Sequence, residues 1–192
     1  PETPTAAEVA RALAVDLERH GVPYAIGGAI ALGYYAPPRA TVDVDVNVFV
    51  APTTDLQRAL AALRDAGFAA NEDGETVRRQ ALEEGQFRGT AAGLRVDVFV
   101  PAIDYYAELA TRRRRVTLFR RPLWILAAED LAVLKLMFFR RKDLADVEAL
   151  LRELGPAIDR GFVRAKLVEL VGADDERLAA LGAIEADVDS QP

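Results

Sequence analysis

Valine fills every second position of TVDVDVNVFV, residues 41–50, and the positions between hold Asp43, Asp45 and Asn47 before Phe49. Apolar β-branched residues at period two predict a strand, and successive side chains of a strand point to opposite faces. Val42, Val44, Val46 and Val48 are thus expected on one face, with Thr41, Asp43, Asp45 and Asn47 on the other. Aspartate is a poor strand former. Two carboxylates about 6–7 Å apart repel by roughly 2–3 kcal/mol at an effective dielectric of 20, and by much less when fully solvated. The pattern returns in LRVDVFV, residues 94–100, where Val96, Val98 and Val100 share a face and Arg95, Asp97 and Phe99 share the other.

Elsewhere the pattern changes period. Residues 6–17 space their apolar positions as a helix does, with Gly21 as a stop. A short apolar run at 24–26 meets Gly27 and Gly28; a helix over 29–35 follows and ends at Pro37-Pro38. Leu56, Leu60 and Leu63 predict a second helix over 55–66, and the polar stretch 71–80 reads as a loop with a short strand. Residues 86–90 and 94–100 predict a hairpin. A helix over 102–113, an edge strand over 116–119, and helices over 128–151 (broken near Asp143), 162–171 and 175–181 complete the chain, with the last seven residues frayed. The class is α+β: a mixed sheet flanked by helices in the N-terminal part, then a C-terminal helical bundle. Composition shifts most over 101–127, and the division expected is 1–101 and 102–192.

Composition narrows the chemistry. The 192 residues contain no cysteine and one histidine, His20, so disulfides and thiolate sites are excluded and zinc centres and histidine triads are disfavoured. Carboxylates, lysines, arginines and backbone groups remain, which favours Mg²⁺ or Mn²⁺ over a softer metal. No apolar run reaches about 18 residues, so no membrane span is expected; no secretory signal is visible, and a cytoplasmic location is the expectation. The net charge of −6 argues against nonspecific nucleic-acid binding. Yet Arg112, Arg113, Arg114, Arg115, Arg120, Arg121, Lys135, Arg140, Arg141 and Lys142 fall in one segment, with only Glu129 and Asp130 against them. That segment reads either as a phosphate-binding patch or as a solvated helix end plus ordinary surface arginines.

Four constellations carry candidate chemistry. Gly27-Gly28 joins a strand to a helix start, where backbone approaches a ligand closely and the dipole favours phosphate; a simple tight turn is the alternative. Asp43, Asp45 and Asp97 converge if their strands are neighbours, and two divalent cations about 3.5–4 Å apart would then clamp an in-line displacement at phosphorus; three independent solvated aspartates are the alternative. Lys135 is the one charge in LAVLKLMFF, residues 131–139, and must snorkel, pair or face a polar cavity. In RRKDLAD, residues 140–146, Lys142 and Asp146 have the spacing of a surface ion pair and Asp143 that of a helix cap.

Taken in order, VPYAIGGAIALGYYAPPRATVDVDVNV, GLRVDVFVP and EDLAVLKLMFFRRKDLADVEALL resemble the nucleotidyltransferase superfamily related to DNA polymerase β, and within it the AbiEii branch of toxin nucleotidyltransferases. The resemblance covers roughly residues 22–151. It implies that Asp43 and Asp45 hold two metals, that Asp97 holds the one activating the acceptor, and that Gly27 and Gly28 cradle a triphosphate. It implies that Lys135 and Arg39 offset the triphosphate charge beside Thr41 of the Thr-x-Asp-x-Asp motif, and that Lys142 and Asp146 belong to a catalytic or nucleotide-orienting motif. This chain has Gly-Gly where many relatives have Gly-Ser, so a hydroxyl at position 28 is absent.

The activity implied is Mg²⁺-dependent transfer of an NMP from an NTP to an acceptor hydroxyl, with tRNA as acceptor and a cognate antitoxin as partner. Adenylylation of a small molecule such as an aminoglycoside needs the same metal site with a different acceptor pocket. A metal-dependent glycosyltransferase also uses Asp-x-Asp, but fits the upstream glycines and Asp97 poorly. A catalytically silent nucleotide- or partner-binding relative is the non-enzymatic alternative, against which all three acidic positions are filled.

Overall fold

The computed structural model describes residues 4–190. The chain forms two compact units: Pro1–Ala31 with Arg39–Leu126, and Leu32–Pro38 with Ala127–Pro192. Among the described residues no helix is long and apolar enough to cross a membrane.

The first unit is built on a seven-stranded mixed sheet. Its strands are β1 (Tyr24–Ile26), β2 (Asp43–Val48), β3 (Phe68–Ala70), β4 (Gln86–Ala91), β5 (Leu94–Phe99), β6 (Arg114–Leu118) and β7 (Arg121–Ile125), in the spatial order β3-β4-β5-β2-β1-β7-β6. β2 and β5 run parallel, as do β1 and β7, and the remaining neighbours are antiparallel. The alternating valines do what period two requires: Val44, Val46, Val48, Val96, Val98 and Val100 are buried. Val42 departs from this, being 76% exposed, because the strand begins only at Asp43. Helix α1 (Ala6–Arg19) buries Val9, Leu13 and Leu17 on one stripe, and a capping box between Thr5 and Glu8 starts it. Helices α3 (Leu56–Asp65), α4 (Gly74–Glu83) and α5 (Tyr105–Arg112) complete the unit. Helix α2 (Gly28–Tyr35) begins in the first unit and ends in the second.

Several elements differ from the sequence expectation, among them the short strand β3. The stretch expected to be a loop over 71–80 is largely α4. Its N-cap, Asp73, accepts from the Thr76 amide at 2.8 Å, and only Val77 and Ala81 are buried. One helical contact row of two residues is too sparse to register as periodicity. The strand β7 was not anticipated, because Pro122 is its second residue and its turn carries no glycine: Phe119 and Arg120 both have positive φ, as a two-residue type I′ hairpin requires, although Asn-Gly is the usual pair there.

The second unit holds α6 (Ala128–Phe138), α7 (Arg141–Leu154), α8 (Arg160–Val171) and α9 (Glu176–Ser190). Leu131, Leu136, Val147, Leu150, Leu151, Val163, Leu167 and Leu181 form its core. The break expected near Asp143 falls at Phe139, whose left-handed φ of 56° ends α6. The tail expected to fray over 186–192 is helical to Ser190, its last two residues lying outside those described.

Candidate active site

β2 and β5 bring the carboxylates together. Their register pairs Asp43 with Arg95, Asp45 with Asp97 and Asn47 with Phe99, and residues paired across neighbouring strands project on the same face. Asp43, Asp45 and Asp97 therefore share one face, with Asp45 and Asp97 side by side. Asn47, further along that face, is 2% exposed and donates to the Ala25 carbonyl at 3.3 Å, which ties β2 to β1.

Gly27 and Gly28 border the same patch. The Gly27 amide donates to the Asp45 carbonyl at 2.9 Å. Gly28 has φ +56°, and a Cβ on it would lie 1.8 Å from Asp45 Oδ2. Both facts call for glycine: the backbone is left-handed, and the space a side chain would take is filled by the carboxylate. The absence of serine at this position thus has a local cause. Thr41 is committed to the motif itself: its hydroxyl donates to Asp43 Oδ1 and, at 3.2 Å, to the Asp43 carbonyl. Arg39 is exposed on the segment leading into β2.

Two arginines complete the patch. Arg88 on β4 is the register partner of Asp97 and donates from Nε to its Oδ1 at 2.5 Å. Arg95 lies 3.1 Å from Asp97 Oδ2 through Nε and donates from Nη2 to Asp43 Oδ2 at 2.5 Å. Sequence reasoning placed Arg95 on the face of Asp97 but assigned it no task, and passed over Arg88. The hairpin register was the available signal, since it sets position 88 opposite position 97. Among the described residues no group of three or more acidic or histidine side chains is gathered closely enough to hold a metal ion as it stands. The donor set itself suits one: three carboxylates on adjacent strands offer hard oxygen ligands, beside a glycine whose missing Cβ leaves Asp45 its room.

Lys135 and the 140–146 segment belong to the second unit. Lys135 is buried and paired: its Nζ lies 2.5 Å from Asp146 Oδ2 and 3.6 Å from Asp143 Oδ1. Asp146, 4% exposed, turns inward to Lys135, so the surface pair suggested by its spacing from Lys142 gives way to a buried one; Lys142 is exposed. Asp143 accepts from the Arg140 amide at 3.2 Å and from its Nε at 2.6 Å; the N-cap of α7 is Arg140, and Asp143, expected as the cap itself, is the third residue of the helix reaching back to it.

Of the arginine run, Arg112 ends α5 and Arg113 is its C-cap, while Arg114, Arg115, Arg120 and Arg121 lie on the edge hairpin β6–β7. Arg114, Arg115, Arg120 and Arg121 are exposed. Arg113 donates to the Tyr24 carbonyl at 2.9 Å and stacks 4.3 Å from the centroid of Trp124. Burial pushes its guanidinium below its ordinary pKa.

No protein-family model matches the chain, and no curated protein matches it. Solved structures do. The solution structure of the antibiotic-resistance factor ANT(2'')-Ia is 14% identical, with 94% of this chain and 97% of that one covered at a TM-score of 0.62. The same factor in complex with adenylyl-2''-tobramycin is 12% identical, with 94% and 97% covered and a TM-score of 0.59. An antigenic nucleotidyltransferase-like protein from Paracoccidioides brasiliensis is 18% identical, with 93% and 92% covered and a TM-score of 0.56. At these identities the likeness is one of fold. The chain has the α+β architecture of nucleotidyltransferase structures over nearly its whole length.

Proposed function

We propose that this protein is a divalent-metal-dependent nucleotidyltransferase that moves an NMP from an NTP onto an acceptor hydroxyl and releases pyrophosphate. The observation that carries the reading is the pairing of Asp45 with Asp97 across parallel strands, on the face of Asp43 and against the Gly27-Gly28 turn. Asp43, Asp45 and Asp97 are the residues that would hold Mg²⁺ or Mn²⁺. When bound, such an ion neutralises phosphate charge and lowers the pKa of a coordinated hydroxyl. The Gly27-Gly28 backbone lets a triphosphate approach the start of α2, where the helix dipole favours anions. Positioning and charge neutralisation then supply most of the rate, as in phosphoryl transfers generally.

Two acceptor classes have distinct support. The fold shared with a factor solved bound to adenylyl-2''-tobramycin supports a small-molecule hydroxyl. Six arginines in residues 112–121, with no acidic residue between Glu108 and Glu129, support an RNA acceptor such as the tRNA of the toxin branch. Incubation with labelled NTPs, Mg²⁺ and either total tRNA or an aminoglycoside panel separates them by where the label appears. Asp45→Asn is expected to lower transfer by about 10²–10³-fold with the fold intact by circular dichroism. Wild-type protein that neither binds NTP nor transfers label to any acceptor would sink the proposal.

A further inference from the structure

Asp43 and Asp97 are already neutralised by the protein's own arginines. Asp97 has a guanidinium on each oxygen: Arg88 Nε at 2.5 Å from Oδ1 and Arg95 Nε at 3.1 Å from Oδ2. Asp43 has Thr41 on Oδ1 and Arg95 Nη2 at 2.5 Å from Oδ2. All four oxygens therefore have donors, and one side chain, Arg95, spans both carboxylates. The geometry is dictated by the sheet. Arg95 is the register partner of Asp43 and lies two residues from Asp97, so its planar fork sits on their face between them. Its side chain is 45% exposed, against 21% for Asp43 and 12% for Asp97. A flexible stem at the rim has water to move into, and an exposed ion pair is cheap to break.

We propose that Arg95 is the resident counter-cation of this site: it holds Asp43 and Asp97 together in the metal-free protein and yields them when a divalent cation binds, so arginine and metal compete for the same oxygens. The inference rests on the metal-site reading above. A cation that collects Asp43 and Asp97 through the oxygens Arg95 holds must displace that guanidinium. Arg88 contacts Asp97 through the other oxygen and can stay, keeping the carboxylate aimed. The arginine thus does what a bound ion would do, removing the repulsion between carboxylates that the strand pattern creates.

The test compares wild type, Arg95→Gln, Arg95→Lys and Arg88→Gln, with Mn²⁺ as the probe, by electron paramagnetic resonance and titration calorimetry without nucleotide, and with melting in EDTA and in saturating Mn²⁺. Arg95→Gln is expected to bind Mn²⁺ roughly tenfold more tightly, to melt lower in EDTA, and to gain more from Mn²⁺ than wild type does. Arg95→Lys keeps the charge without the fork and falls between, while Arg88→Gln shifts Mn²⁺ affinity less than Arg95→Gln. A folded Arg95→Gln that binds Mn²⁺ no more tightly than a wild type that does bind it overturns the counter-cation role and leaves the metal site standing. Folded proteins of which neither wild type nor Arg95→Gln binds Mn²⁺ overturn both.

Discussion

The two units each set aspartates against basic side chains, but the basic partners are exposed in the first and buried in the second. In the first, Asp43 and Asp97 meet Arg88 and Arg95, whose side chains are 55% and 45% exposed. In the second, Lys135, Asp143 and Asp146 have side chains 7%, 0% and 5% exposed. Charges that keep water can trade partners at little cost, whereas charges shut away from water are bound to the partner they have. The first arrangement suits a site that must accept an ion and release it. The second suits a joint: Lys135 on α6 is fastened to Asp143 and Asp146 on α7, directly across the break at Phe139.

The sharpest way to break this contrast is to strip one partner from the buried cluster. Lys135→Met leaves Asp146 without its ammonium in an apolar setting, and such a loss costs about 3–5 kcal/mol. Urea unfolding should show that loss as a lower midpoint. Replacing both partners, Lys135→Met with Asp146→Leu, should recover much of it, because no charge of the pair is then left unpaired. A single substitution that costs under about 1 kcal/mol would show that Lys135 reaches water, and the contrast between the units would fail.

Legibility in the sequence follows the same division between repeated pattern and single event. The valine alternation of residues 42–50 and 94–100 located β2 and β5 and put Asp43, Asp45 and Asp97 on the polar faces, because burial imposes period two on every residue of a strand. What no period encodes was harder. The parallel pairing that sets Asp45 beside Asp97 is a long-range register. The pairing of Lys135 with Asp146 depends on how α6 and α7 fold back across one left-handed residue, Phe139. Spacing alone suggested Lys142 for Asp146, the nearer partner in sequence. The helix α4 and the turn at Phe119-Arg120 escaped because one carries a two-residue apolar row and the other an atypical residue pair.

A smaller effect tests the exposed side of the contrast. Arg88→Ala removes the Nε donor from Asp97 Oδ1 while Arg95 still lies 3.1 Å from Oδ2. A pair whose guanidinium is exposed and whose carboxylate keeps a second arginine is worth about 0–1 kcal/mol. Melting of Arg88→Ala should fall slightly below wild type at low ionic strength, and the two should converge in 1 M salt, where the screening length is about 3 Å. A loss as large as that of Lys135→Met would mean that the carboxylate patch is a structural joint like the one in the second unit.

The smallest effect comes from the solvent limit of the series. Asp65, at the end of α3, accepts from His20 Nε2 at 2.8 Å and from Arg19 Nη2 at 2.9 Å, with side chains 49%, 27% and 59% exposed. The His20 hydrogen bond, assisted by the Arg19 charge, holds the Asp65 carboxyl below its ordinary value of 3.8 against the opposing effect of desolvation. A carboxyl whose folded pKa is depressed stabilises the fold above the unfolded pKa, and that stabilisation is lost as pH falls through the folded pKa. Wild type should therefore melt slightly above Asp65→Asn at about pH 5, and the gap should close progressively as acid is added below about pH 4. Calorimetric melting at several pH values measures it. A gap that stays constant through that window would mean the α1–α3 contact is held by packing of the apolar stripe of α1, and that water-exposed pairing adds nothing even at the junction of two helices.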